Sequence, residues 1–85
     1  MRIKFIKPLQ NFCLEIKFED GLSGIISIKD QMFGPAFEAL KDPDYFKKVF
    51  ISDSGVCTWP NETDLAPEFL YERINSNQTK RKKVA

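Results

Sequence analysis

The chain of 85 residues contains no histidine, two cysteines, four glycines and no apolar run near the length of a membrane span. A zinc site is close to excluded, because His is absent and Cys13 and Cys57 lie far apart in no paired motif. The usual general base for a serine or cysteine nucleophile is missing as well. The glycines are scattered through turns and form no phosphate-binding loop. We therefore expect a protein that is not an enzyme and has no metal or other cofactor.

The cysteines bear on compartment and cross-linking. The sequence shows no secretory signal pattern, so we expect a cytoplasmic protein with no membrane association and reduced thiols. Two buried, inert thiols are the favoured interpretation. A bridge between Cys13 and Cys57 on neighbouring strands is the alternative, and mass measurement with and without reductant distinguishes the two.

Aromatic residues are plentiful, with eight Phe, two Tyr and one Trp. Each aromatic side chain buries roughly 150 to 250 Å², which compensates for the small core of a short chain. We expect one folded domain over residues 1–74 and a disordered basic tail over residues 75–85, where apolar periodicity ends.

Charge is divided unevenly along the chain. The formal net charge is +1, but four of the 13 basic residues lie in the tail, so residues 1–79 carry nine positive and 12 negative charges, a net of −3. The tail is either a solvated segment or a basic arm that contacts nucleic-acid phosphates with salt-dependent affinity. Its basic residues are Lys80, Arg81, Lys82 and Lys83.

Alternating apolar residues predict strands in the amino-terminal half. Ile3 and Phe5 share one face of a first strand, and the apolar residues from Phe12 to Phe18 predict a second strand with one buried face. Asp20-Gly21 predicts a hairpin turn into a third strand near residues 22–28.

The middle of the chain changes pattern. Gly34-Pro35 and the spacing of Phe37 and Leu40 predict a short helix from Pro35 to Lys41. The Asp42-Pro43-Asp44 segment ends it, because a residue before proline avoids the helical region. A hairpin turning at Gly55 then joins strands near residues 47–52 and 56–59.

A closing helix should pack its apolar stripe on the sheet, but its start is ambiguous. Asp64 is the N-cap if the helix begins at Leu65. If Pro67 is the first helical residue, the N-cap is Ala66, which caps poorly.

The segment from Trp59 to Tyr71 contains the strongest candidate residues. We expect its structural anchors to be Trp59, Pro60, Pro67, Leu70 and Tyr71. Trp59 is favoured as buried, with an exposed interaction hot spot as the alternative. The polar turn at Asn61, Glu62 and Asp64 is the expected partner-binding surface, because loops on rigid elements concentrate functional residues.

These residues resemble the small bacterial family catalogued as domain of unknown function 2442. The resemblance covers most of residues 3–71, with Phe18, Asp20 and Gly21 at the first hairpin, Phe37, Leu40, Phe46 and Val49 in the middle, and the block of Trp59, Pro60, Asn61, Asp64, Leu65, Pro67, Glu68, Leu70 and Tyr71. The family usually has glycine after Trp-Pro-Asn and often an acidic residue before the second proline, where this chain has Glu62 and Ala66. Asn61 is the alternative residue for the left-handed position that such a glycine would take.

The resemblance implies a small α+β domain, encoded in bacteria and often beside another small protein in pairs suspected to be toxin and antitoxin. It implies no established activity and no catalytic residues.

Together, the pattern predicts an α+β fold with a mostly antiparallel sheet of about five strands, a short middle helix and a C-terminal helix. The favoured function is a non-enzymatic protein-interaction module, the antitoxin-like member of a two-gene pair whose small partner protein is encoded nearby. The alternative is a nucleic-acid-associated regulator that uses the basic tail, in the form of a homodimer. A small-molecule binding domain is a third hypothesis, because aromatic-rich sheets can hold a pocket.

Overall fold

The first three strands form one antiparallel sheet in the computed structural model, which describes residues 2–84 and gives side chains for residues 2–76. They are β1 (Ile3–Leu9), β2 (Cys13–Phe18) and β3 (Ser23–Ser27), in the order β1-β2-β3. Asp20 and Gly21 form the predicted turn between β2 and β3. The Asp20 carboxylate accepts a hydrogen bond from the Leu22 N–H at 3.0 Å, and Gly21 has a φ of 96°.

A β-bulge in β1 changes which residues face the core. Ile3 lies opposite Phe18 and Phe5 opposite Lys17, so the register shifts between Ile3 and Phe5. The expectation that these two residues share a face is therefore wrong: Ile3 is 3% exposed and Phe5 is 43% exposed. The extra residue of a bulge reverses the alternation that a sequence pattern assumes.

A second sheet contains β4 (Phe50–Ile51), β5 (Cys57–Thr58) and β6 (Asp64–Leu65), also antiparallel. The α+β class and the antiparallel pairing are confirmed, but the prediction of one sheet of about five strands is wrong. The sixth strand is the two-residue segment Asp64–Leu65, which pairs with Thr58 and Cys57 of β5.

The predicted middle helix is also interrupted. Residues Pro35–Phe37 and Ala39–Lys41 form two separate 3-10 turns, and the first α-helix, α1, is the four-residue segment Pro43–Phe46. Asp42 is extended, and its carboxylate accepts from the Asp44 N–H at 3.0 Å. Asp42 thus ends one segment, as expected, and also caps the next.

Helix α2 (Pro67–Val84) begins at the second of the two predicted starts. Pro67 takes the first helical position, and Asp64 belongs to β6 instead of capping the helix. The backbone helix continues past residue 75, while the side chains from residue 77 onward lie outside those described, so the predicted tail stays a prediction. Within the described range, no helix combines the length and apolarity that a membrane span requires.

The core lies between the inner faces of the two sheets and α2. The fully buried large side chains are those of Trp59, Phe18, Leu14, Ile16, Ile28, Leu40, Leu70, Ile74 and Cys57. Helix α2 approaches β3 closely at Gly24, where an added Cβ would lie 2.9 Å from Ile74 Cγ2. A glycine at this position lets the helix pack directly on the strand.

Candidate interaction surface

Trp59 anchors the corner between β5 and β6. Its side chain is completely buried, and its Nε1–H donates to the Phe46 carbonyl at 3.0 Å. Its ring lies 5.8 Å from the Phe46 ring, centroid to centroid. Because Trp59 is fully enclosed, it joins α1 to the second sheet and is not available to a partner.

Asn61 holds the following turn in place. Its Oδ1 accepts from the Thr63 N–H at 3.1 Å, and its Nδ2 donates to the Ala36 carbonyl at 3.4 Å. The Thr63 hydroxyl donates to the same carbonyl at 2.8 Å. Both ends of the Asn61 amide are therefore used to fasten the turn to the 3-10 segment at Pro35–Phe37.

Glu62 occupies the left-handed position of this turn, with a φ of 70°. Its N–H donates to the Trp59 carbonyl at 2.9 Å, which closes the turn. Asn61 does not take the left-handed position, and its side chain is hydrogen-bonded to the backbone of Thr63 and Ala36. The Glu62 side chain is exposed and forms no ion pair with any residue whose side chain is described, so its carboxylate faces solvent.

Asp64 is exposed on β6, opposite Thr58, with buried Cys57 beside it on β5. Burial raises the pKa of the Cys57 thiol to about 12, and the negative charge of Asp64 adds to that shift. Both cysteines are free thiols, with Cys13 half-buried on β2. The turn thus presents two carboxylates, Glu62 and Asp64, from a fixed backbone.

Tyr71 ties α2 to the first sheet. Its hydroxyl donates to Asp20 Oδ2 at 2.6 Å, and its ring meets Phe18 edge-on, with centroids 5.0 Å apart. This hydrogen bond lowers the pKa of the Asp20 carboxyl, with a smaller contribution from the Leu22 N–H, and raises the pKa of Tyr71. Leu70 is fully buried, Pro67 is half-buried, and Pro60 is exposed at the start of the turn.

The outer face of the first sheet is a surface that sequence reasoning missed. We define the outer face by five residues: Phe5, Lys7, Glu15, Lys17 and Ile25. Phe5 is 43% exposed and Ile25 is 60% exposed. Phe5 lies opposite Lys17, and Glu15 lies between Lys7 and Ile25 on the neighbouring strands. Lys17 and Glu15 of the central strand therefore lie between the two apolar side chains, and Lys7 lies on the same strand as Phe5.

A signal for this surface was present in the sequence. Ile25 and Ile26 are adjacent, and adjacent strand residues point to opposite faces. Ile26 is 3% exposed, so Ile25 is the residue that faces outward. Phe5 gave no such signal, because the bulge in β1 decides its direction.

Two further predictions concern the basic tail and metal binding. Lys80, Arg81, Lys82 and Lys83 lie outside the residues whose side chains are described, so their role in binding nucleic acid stays a prediction. Among the described residues, no group of three or more His, Cys, Asp or Glu side chains is positioned to hold a metal ion. The described candidates are thus the turn carboxylates and the outer face.

Comparison with known proteins gives a family and no activity. A family model described as protein of unknown function (DUF2442) matches residues 3–76. Searches of the curated proteins and of the solved structures each return no match. The match extends from the first strand of the first sheet into α2, and so includes both the turn and the outer face.

Proposed function

Given that the chain belongs to the DUF2442 family, whose description assigns no activity, we propose that it is a non-enzymatic interaction module that binds a small partner protein. The observation that carries this proposal is the exposure of Phe5 and Ile25 together on one sheet face. Exposed apolar side chains on a regular sheet face, with charged side chains between them, offer a partner protein both apolar and ionic contacts. The antitoxin-like role in a two-gene pair is the specific form of this proposal that the family resemblance suggests.

The charges of the outer face indicate what the partner presents. Lys7 and Lys17 outnumber Glu15 around the two apolar residues. A complementary partner segment carries apolar side chains flanked by acidic ones, because opposite charges at the rim favour correct encounter. Ile25 would contact the centre of that segment, since it is the most exposed apolar residue of the face.

The position of β3 adds a second mode of contact. It is an edge strand of the sheet, next to β2 on one side. Arg73 of α2 already donates to the Ser27 carbonyl on this edge at 3.1 Å, so an extended partner segment would add its backbone hydrogen bonds along the rest of the strand. The carboxylates of Glu62 and Asp64 remain a predicted second contact, on the other sheet.

Capture from the native host tests the proposal when it is done with matched variants. Full-length protein, the double variant Phe5→Thr/Ile25→Thr and the control Phe33→Thr are immobilised at physiological salt. Phe33 is 71% exposed but lies outside the strands, so it controls for the loss of exposed apolar area. Threonine keeps the strand preference of the outer-face positions.

The expected result is one specific protein that the wild type and Phe33→Thr retain and the double variant loses. Equal capture by all three proteins, or no specific capture by the wild type, would contradict the proposal. Circular dichroism of each variant shows that the fold is kept.

A further inference from the structure

A groove of about 900 Å³ lies at the tip of the β1–β2 hairpin, next to α1. Its volume is within the range of about 300 to 1,000 Å³ that small-molecule clefts occupy. Its apolar lining includes Leu9, Phe12, Ile25 and Phe46. Lys47 is the one charged residue among those that line it.

The hairpin tip holds two consecutive residues in the left-handed region. Asn11 has a φ of 59° and Phe12 a φ of 58°. Asparagine tolerates this conformation, but a bulky residue such as phenylalanine adopts it only under constraint. Two contacts constrain Phe12. Its carbonyl accepts a hydrogen bond from the Ile28 N–H at 3.0 Å, and its ring meets the Phe46 ring edge-on, with centroids 5.4 Å apart. Strained backbone of this kind concentrates at ligand-binding sites.

Phe46, which forms one wall of the groove, is held in place by burial and by backbone hydrogen bonds. Phe46 is 2% exposed, its N–H donates to the Asp42 carbonyl at 2.9 Å, and its own carbonyl accepts from Trp59 Nε1. A groove with a fixed wall loses little conformational freedom when it binds a ligand.

We propose that this groove binds a small carboxylic acid with an aromatic or branched apolar body. The apolar body contacts Leu9, Phe12 and Ile25, and the carboxylate pairs with Lys47. Lys47 forms no ion pair with any residue whose side chain is described, so its charge is available to a ligand. Glu15, the one acidic residue of the outer face, lies opposite Ile25, so the end of the groove at Ile25 is less favourable for a carboxylate than the end at Lys47.

Two probes of the same shape test the charge requirement. Biphenyl-4-carboxylate and biphenyl-4-carboxamide are titrated into the full-length protein by calorimetry. We expect the carboxylate to bind up to about fivefold more tightly, because Lys47 is exposed and an exposed charge pair contributes at most about 1 kcal/mol. Lys47→Met should abolish this preference. The neighbouring Lys48→Met should keep it, because Lys48 does not line the groove and its ammonium lies over the Tyr45 ring.

Cys13 reports where the probe binds. It lines the groove and is half-buried, whereas Cys57 is fully buried with a pKa of about 12. A thiol reagent therefore modifies Cys13 first. The carboxylate probe should slow that reaction with the same concentration dependence as in calorimetry.

Three results would overturn the proposal. The first is equal affinity of the protein for the two probes. The second is that millimolar carboxylate probe does not bind or does not protect Cys13, and the third is that Lys48→Met changes the preference for the carboxylate as much as Lys47→Met does. Phe5 does not line the groove, so Phe5→Thr separates loss of the partner protein from loss of the small ligand.

Discussion

Glu62 holds a backbone angle that glycine adopts at lower cost. Its φ is 70°, in a turn closed by its N–H and the Trp59 carbonyl. Glu62→Gly should raise the free energy of unfolding by about 0.5 to 1 kcal/mol, since the left-handed penalty of roughly 1 to 2 kcal/mol exceeds the entropic cost of glycine. Chemical denaturation measures the change.

Glu62→Gln is the matched control, because it removes the charge and keeps the strained backbone. We expect its stability to equal that of the wild type. If Glu62→Gln stabilises the protein as much as Glu62→Gly does, then the charge of Glu62, and not its backbone conformation, lowers the stability of the wild type.

Tyr71 should make stability depend on pH through Asp20. The hydrogen bond from the Tyr71 hydroxyl holds the pKa of Asp20 below its ordinary value of 3.8. A carboxyl whose pKa is lower in the folded state stabilises the fold above its unfolded pKa, and this contribution is lost as pH falls through the folded pKa. Tyr71→Phe should therefore destabilise the protein near neutral pH and by a smaller amount well below 3.8.

Denaturation of both proteins at the two pH values measures the difference. Tyr45→Phe serves as control, since it also removes one tyrosine hydroxyl but leaves the hydrogen bond between Tyr71 and Asp20 in place. A Tyr71→Phe effect of the same size at both pH values would show that the Asp20 contact is not responsible.

Single residues show how far the sequence can be interpreted. The turn after Trp59 follows from its composition, but the residue in the left-handed position does not. Glu62 takes that position, while the Asn61 side chain contacts Ala36, which is 25 residues away in sequence. A local pattern contains no information on such a contact.

At the scale of elements, strands marked by alternation or by a hairpin turn were predictable, whereas β6, which has neither signal, was not. In β2, Leu14, Ile16 and Phe18 are buried, as the alternation predicts. Strand β6 has two residues, too few for any periodicity, and exists through its pairing with β5. The outer face was missed for a related reason, since the β1 bulge that exposes Phe5 leaves no mark in composition.

The contact of α2 with β3 gives a prediction for two elements together. An added Cβ at Gly24 would lie 2.9 Å from Ile74 Cγ2, so Gly24→Ala should destabilise the protein by about 1 to 3 kcal/mol through overpacking. In an Ile74→Ala background the same substitution should cost much less, because the obstructing methyl group is gone. A double-mutant cycle by chemical denaturation measures this coupling. If the effects of Gly24→Ala and Ile74→Ala are additive, α2 and β3 are farther apart in the protein than the 2.9 Å approach implies.

At the scale of the whole molecule, contacts between distant residues join the parts. The Ile3 N–H donates to the Gly55 carbonyl at 3.0 Å, which connects the first sheet to the β4–β5 turn. Arg73 of α2 donates two hydrogen bonds of 2.9 Å to the Asp30 carboxylate and lowers the pKa of that group. No sequence spacing predicts these pairs, so the assembly of two sheets could not be predicted, whereas the α+β class could.

The basic tail separates the two hypotheses for the whole protein. Deleting residues 80–85 should leave partner capture unchanged, because the proposed contact lies on the outer face. The nucleic-acid alternative predicts that the deletion abolishes salt-dependent DNA binding. Full-length protein with glutamine at Lys80, Arg81, Lys82 and Lys83 controls for chain length. Loss of partner capture in both variants would place the partner on the tail.

Photo-crosslinking at Ile25 tests the central claim most directly. A photoreactive phenylalanine analogue replaces Ile25 in one protein and Phe33 in another, and both are irradiated in the native host. Ile25 is 60% exposed and Phe33 is 71% exposed, so accessibility alone favours Phe33. The account predicts one specific cross-linked protein from position 25 and none from position 33. The same products from both positions, or none from position 25, would contradict it.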